Sequence, residues 1–263
     1  MRAGRHPPVH PRRHGKLLRG TARLYEDLGL LSADPELAEH AAAVFNEPTA
    51  GIPAPSRGKL LVAPHDLRER FTALIRREAE HARARRPSGI RAKMNQVQDP
   101  RMIRELYQAS LVGVPIVLNV RGLCCLRPGV PGLSPTIQVY STLGRFLEHS
   151  RIYRFESGGE PEFSISSADL MTRNLSRRME AVALFCDPVI KAELETILCT
   201  WEEDNCSAWD MQPDSQYVRR HPAAGQLGLA CCGGRLGFFH SLIGDRMSLR
   251  GTADYSFWKK TGA

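Results

Sequence analysis

Residues 90–122 read IRAKMNQVQDPRMIRELYQASLVGVPIVLNVRG, and their order decides the fold class. Ile90–Asn95 and Ile116–Val120 are short strand candidates, the second rich in branched apolar residues. Between them, Asp99-Pro100 opens a helical pattern. An Asp side chain accepts from the first unpaired N–H groups of a helix. Pro suits the first helical position because its missing N–H would be unpaired anyway. Strand, helix and strand in that order imply a crossover with parallel pairing.

The Asp-Pro signal recurs at Asp34-Pro35 and Asp187-Pro188. The three pairs predict helices at about 35–46, 100–112 and 188–203. A fourth helix, at about 66–85, keeps Leu67, Phe71, Leu74, Ile75 and Ala82 near one face. Further strands are expected at Lys59–Ala63, Ile137–Ser141, Ile152–Phe155, Phe163–Ile165 and Met179–Phe185. The later strands have no helices between them, which suggests a mixed sheet. The fold class is therefore α/β, with a mixed, largely parallel central sheet flanked by helices. A Pro/Gly-rich stretch at 46–58 separates this domain from a short N-terminal segment. Residues 1–19 have no periodicity and are expected to be disordered. No clear element is legible in 223–263.

Composition narrows the classes. Hydrophobic residues make up 42% and charged residues 24%, as in soluble globular proteins. No apolar run reaches the roughly 20 residues that a membrane span needs. The net charge is +8, but residues 1–20 hold six Arg and Lys and no acid. The rest of the chain balances 30 basic against 28 acidic residues. A nucleic-acid-binding domain carries its basic excess on the folded body, so no nucleic-acid partner is expected. None of the seven cysteines forms a C-x-x-C pair, which argues against zinc and disulfide exchange and for reduced thiols.

Three segments can carry chemistry. Arg121 follows a parallel strand, and ligands of open α/β sheets bind beyond the carboxyl ends of such strands. Gly122 lets the backbone come close to a ligand, and the stiff loop Leu126–Gly132 could wrap one. Taken alone, Arg121 reads better as a surface arginine after a core strand. His149 and Arg151 are two apart at the entry to a strand, so they share a face. An imidazole passes protons near neutral pH and a guanidinium holds phosphate oxygens. That combination suits phosphoryl transfer, where positioning and charge neutralisation dominate. A lone histidine is more often structural, but Arg145, Glu148 and Arg151 around it argue against an apolar core position. Finally, Ser166-Ser167-Ala168-Asp169 at a strand end could cradle an anion, with Asn174, Arg177 and Arg178 extending that surface. The same residue types are common at strand-to-turn junctions.

The order of these segments is more specific than any one of them. His-x-Arg, then Ser-Ser-x-Asp, then Arg-Asn resembles the second half of the phospholipase D-like superfamily site. There, two halves face each other, one histidine being nucleophile and the other acid/base. A closer resemblance is to the C-terminal part of bacterial polyphosphate kinase. It is carried by Thr21–Asp27, Ile90–Asn95, Val120–Gly122, Arg127–Ser134, Gly144–Tyr153 and Ser166–Asp169, and covers roughly residues 20–222.

The resemblance implies an unmatched basic tail at 1–20 and the end of a preceding phospholipase D-like domain with a linker at 21–56. It implies a C-terminal phospholipase D-like domain at 57–222 and an unmatched tail at 223–263. ATP or its phosphates would be bound by Tyr25, Arg121 and His149, with Arg178 close to the phosphates. Arg151 would join Arg121 and Arg178 in neutralising oxygens, and His149 would be the catalytic acid/base. The family transfers the terminal phosphate of ATP to inorganic polyphosphate, reversibly and with magnesium. It does so through a phosphohistidine in an upstream His-x-Lys motif that precedes a Gly-Thr-Gly-Asn segment. Upstream of the match lie His6, His10 and His14, none of which precedes x-Lys in an apolar strand.

The expectation is thus an N-terminally truncated chain with one half of the site, impaired in turnover when alone. Its magnesium-binding arginines would lie before residue 1, and residues 1–19 and 223–263 would come from another frame or start site. ATP, ADP and inorganic polyphosphate are the expected partners, a homo-oligomer stays open, and no transmembrane segment is expected. The location would be cytoplasmic, with a peripheral place at the inner membrane face as a variant. Two alternatives are a dimeric phosphodiesterase, with two copies of His149 facing each other, and a non-catalytic polyanion-binding module.

Overall fold

A computed structural model describes residues 25–50, 60–144, 146–231 and 255–260. In chain order these form β1 (Tyr25–Ser32), α1 (Pro35–Ala50), β2 (Leu60–Ala63), α2 (Leu67–Arg83), β3 (Ile90–Met94), α3 (Pro100–Leu111), β4 (Ile116–Val120) and β5 (Ile137–Thr142). There follow β6 (Leu147–Glu148), β7 (Ile152–Phe155), β8 (Glu162–Ser166), α4 (Thr172–Ser176), β9 (Glu180–Phe185), α5 (Pro188–Glu202), β10 (Ala208–Met211), β11 (Tyr217–Arg219) and β12 (Tyr255–Lys260).

The Asp-Pro pairs do what their chemistry predicts. Asp99 Oδ1 accepts from the backbone N–H groups of Arg101 and Met102, both at 3.1 Å. Asp187 Oδ1 accepts from Val189 at 2.8 Å and Ile190 at 3.1 Å. Asp34 Oδ1 accepts from Leu37 at 2.9 Å. Asp187→Ala removes two such bonds and is expected to lower stability by about 1 kcal/mol, read from the urea midpoint. An unchanged midpoint would mean that the α5 cap adds nothing.

Nine strands form one sheet in the order β11-β10-β5-β4-β3-β7-β8-β9-β2. The sheet is mixed and flanked by helices, but its parallel share is smaller than expected. Only β3–β4 and β4–β5 pair in parallel. The expected crossover from the first strand does not join neighbours, because β2 lies at the far edge, antiparallel to β9. The hairpin-like strands β7, β8 and β9 separate it from β3, each pairing antiparallel with the next.

Alternation along the strands builds two cores. Tyr153 faces α2, its ring 4.7 Å from that of Phe71. Its neighbour Ile152 faces the opposite way, into a cluster with Ile190, Leu194 and Trp201 of α5. The site lies at one edge of this sandwich. There β3, β4 and β8 end while β7 and β9 begin, so residues 95, 121, 151, 167 and 180 converge.

A second, three-stranded sheet, β12-β1-β6, brings Tyr25 and Asp27 to that edge. β1 pairs in parallel with β6 and antiparallel with β12, in register Asp27↔Lys260. No strand was expected at β1, β6, β10, β11 or β12. The disorder expected for residues 1–19 lies outside the described residues. No helix among the described residues is long and apolar enough to cross a membrane.

Candidate active site

A cavity of about 560 Å³ opens at this edge, and Tyr25, Arg121, His149, Arg151 and Arg178 all line it. His149 is 8% exposed and tied down on several sides. Its backbone N–H donates to Glu26 O at 2.8 Å. Its ring centroid lies 5.5 Å from that of Tyr25. Its Nδ1 lies 3.1 Å from Asp27 Oδ2 and 2.9 Å from Arg151 Nη1.

These two neighbours ask opposite things of Nδ1. A guanidinium only donates, so Arg151 is satisfied by a bare Nδ1. An ionised Asp27 only accepts, so it favours Nδ1–H. Burial opposes ionisation of Asp27, but the hydrogen bond and charge of His149 outweigh it and hold the carboxyl below its usual range. The neighbour that prefers protonated Nδ1 is therefore charged under ordinary conditions, and whether Nδ1 carries the ring's proton decides which partner it serves.

Arg151, expected to hold phosphate oxygens, is held by protein groups on every nitrogen. Nε and Nη2 grip Asp169 Oδ1 and Oδ2 at 3.1 and 2.9 Å, and Nη1 donates to His149 O at 3.0 Å as well as meeting Nδ1. The pair is almost fully enclosed, with side chains 9% and 7% exposed. Burial opposes ionisation of Asp169, but its hydrogen bond and charge contact with Arg151 win and lower its pKa. Arg151 orients the histidine.

Arg121 is different. Its Nε donates to Asn95 Oδ1 at 3.0 Å, and among the described residues Nη1 and Nη2 have no hydrogen-bond partner. Desolvation lowers its pKa and prevails over the opposing contribution of Tyr25, while the nearby Arg151 charge adds to the lowering and Asp169 and Glu148 oppose it. A half-buried cation without its own carboxylate is stabilised by an anionic ligand.

Arg178, which also lines the cavity, is exposed and lies 3.8 Å from Glu180 Oε1. The serines expected to cradle an anion are engaged elsewhere. Ser167 Oγ donates to Glu180 Oε2 at 2.5 Å, and Ser166 Oγ accepts from Ala168 N at 2.9 Å. Glu180 also accepts from Asn174 Nδ2.

Among the described residues no group of three His, Cys, Asp or Glu could hold a metal ion. Asp27, Asp169 and Glu180, the carboxylates lining the cavity, already serve His149, Arg151 and the Ser167–Asn174 pair. Magnesium does not fit this donor set. The six cysteines among the described residues form no disulfide.

Two supporting residues escaped the sequence reading. Lys93 is fully buried and donates to Glu148 O and to Ser150 O, the latter at 2.7 Å. Asn95 links Arg121 to the backbone of His149, its Nδ2 lying 3.3 Å from His149 O. Both lie in the Ile90–Asn95 string, read there as a strand. Asp27 likewise lay in a quoted string without a role of its own.

Comparison with known proteins decides the family. The model of the family described as polyphosphate kinase C-terminal domain 2 matches residues 60–227. The chain belongs to the polyphosphate kinase family. It is 51% identical over 206 residues to the polyphosphate kinase of Thermosynechococcus vestitus, covering 78% of this chain. It is 46% identical over 199 residues to that of Streptomyces coelicolor, covering 76% of this chain. The crystal structure of polyphosphate kinase from Porphyromonas gingivalis superposes with a TM-score of 0.71 at 36% identity, covering 75% of this chain and 30% of that one. The chain spans 28% of the length of the first of these curated relatives and 27% of the second.

Proposed function

We propose that this cavity is the nucleotide-binding, proton-transferring side of a centre that moves the terminal phosphate of ATP to and from inorganic polyphosphate. The observation that carries the reading is the meeting of Tyr25, Arg121, His149 and Arg178 in one cavity, with Asp27 against Nδ1 of His149. Residues from β1, the β4 end, the β6–β7 turn and the start of β9 converge there.

In this reading Tyr25 offers its ring beside the imidazole as an apolar wall for the nucleotide. Arg121 and Arg178 neutralise phosphate oxygens. Asp27 keeps a proton on Nδ1, and Nε2 is the ring atom that gives a proton to the leaving phosphate or takes one from the attacking phosphate. Arg151, clamped by Asp169, fixes the ring. Phosphoryl transfer depends chiefly on such positioning and charge stabilisation. The covalent nucleophile belongs to a partner half-site that we do not assign to these 263 residues, so the chain alone turns over poorly.

Calorimetry with ATP and a phosphotransfer assay on the purified chain test both parts. The expected outcome is ATP binding with little polyphosphate formed. Robust synthesis by these residues alone would overturn the half-site assignment. Absence of ATP binding, with polyphosphate still bound, would point to a polyanion-binding module instead.

A further inference from the structure

Three consecutive backbone carbonyls around the central histidine are all held by side chains from beneath. Lys93 Nζ donates to Glu148 O and to Ser150 O. Between them, His149 O receives Asn95 Nδ2 at 3.3 Å and Arg151 Nη1 at 3.0 Å. Lys93 and Asn95 stand two apart at the end of β3, which pairs with β7 through Lys93↔Ile152. The turn that presents His149 thus rests on the last residues of the neighbouring strand. A carbonyl that receives an N–H loses the freedom to rotate its peptide plane. With three in a row engaged, the imbalance of the unpaired backbone is removed and the ring's attachment point is fixed.

We propose that Lys93 is a positioning residue for His149, holding the carbonyls on both sides of it and placing a positive charge under the cavity floor. The inference rests on the reading of His149 as the proton-transfer residue. Lys93 does not touch the ligand space directly and does not line the cavity.

The surroundings of this ammonium are specific. It is enclosed by Glu148 of β6, by Arg121 after β4, by Arg151 before β7 and by Asp169 after β8. From the other side, the Trp201 ring of α5 lies 5.5 Å away, while the α5 carboxylates Glu195 and Glu202 are taken by Arg91. Two acids, two arginines and the lysine leave this cluster one positive charge in excess, which suits an anionic ligand. Burial, partly offset by Glu148 and reinforced by Arg121 and Arg151, lowers the Lys93 pKa to about 7. Its charge is therefore present below that value and lost above it. When the charge goes, one donor proton also goes, and the carbonyls are held less firmly.

The test uses the full chain with Lys93→Met, which keeps the stem and removes the charge, compared with the unsubstituted protein. ATP affinity is measured from one pH unit below to one above the lysine's midpoint of about 7. Below the midpoint, Lys93→Met is expected to weaken ATP about tenfold, the effect of one buried charge near phosphate. Above it the difference should shrink without vanishing, because the native lysine is then uncharged but still holds the two carbonyls with its remaining N–H donors. A ratio that stays constant with pH would mean a merely structural role and would overturn the proposal.

If the variant does not fold, the native protein decides. Nitrogen-15 spectra follow Lys93, one of six lysines, and the ring of His149, one of nine histidines. The ring signals of His149 should shift as Lys93 titrates. Independent curves would overturn the coupling. If the native chain binds no ATP, the nucleotide reading falls, while the spectra still judge Lys93 against His149.

Discussion

Asp169→Ala is expected to lower the unfolding free energy by about 3–5 kcal/mol at neutral pH, the usual effect of breaking a buried ion pair from one side. The substitution leaves the Arg151 guanidinium enclosed without its carboxylate. It also removes the acceptor for the Asn95 and Gln96 backbone N–H groups, now at 2.7 and 3.3 Å. The pH dependence follows from the sign of the shift. The carboxyl titrates lower in the folded chain than unfolded, so its contribution is complete above the ordinary carboxyl value of about 3.9. It is lost as pH falls through the folded value beneath that. The gap between native protein and variant in urea unfolding should therefore be widest at neutral pH and close under acid. A gap below about 1 kcal/mol at neutral pH would rule out the clamp.

Arg121→Ala should weaken ATP binding by about 10- to 100-fold, the worth of a charge-assisted hydrogen bond at 1.5–3 kcal/mol. The side chain's two terminal nitrogens are uncommitted among the described residues, so they are available to a phosphate. Stability should change little or even rise, because a desolvated cation without a carboxylate of its own is removed. Arg151→Ala should show the reverse pattern, with a large loss of stability. Calorimetry and urea unfolding on both variants separate the roles. If Arg121→Ala unfolds the chain and binds ATP normally when folded, the assignment of a phosphate ligand is wrong.

The sequence carried the framework because the signals were local. Asp-Pro pairs locate helix starts with bonds between near neighbours. Ile116–Val120 was legible as β4 because Ile, Val, Leu and Val make up all but Asn119 of its length, which suits a strand buried on both faces. The parallel share of the sheet was overestimated because the neighbour of β2 is set by β7, β8 and β9, far along the chain. β10 and β11 are four and three residues long, too short for alternation to register.

At the site, His149 and Arg121 stood out because their residue types and places carried chemical meaning. Lys93 did not. It sits on the same strand face as Arg91, and Arg91 is served by Glu195 and Glu202 on α5 as an ordinary partly exposed arginine would be. Nothing in the string distinguishes it from a lysine that leaves the strand into water. Its burial depends on Glu148 and Ser150 arriving from 55 and 57 residues away. Arg151 was found but its clasp on Asp169 was not, because only the fold brings the two side chains together.

The helix caps have a practical consequence. An Asp–Pro peptide bond is the weakest backbone link under acid, since the aspartate carboxyl attacks its own carbonyl and proline nitrogen leaves readily. In the folded chain the carboxylates of Asp34, Asp99 and Asp187 are buried, so the three bonds open to that chemistry only once the structure lets go. Complete cleavage yields pieces 1–34, 35–99, 100–187 and 188–263. Tyr25 then travels in a different piece from His149 and Arg121. A nucleotide attached by light before the acid step would reveal, by the mass of one fragment, which wall of the cavity it had been lying against.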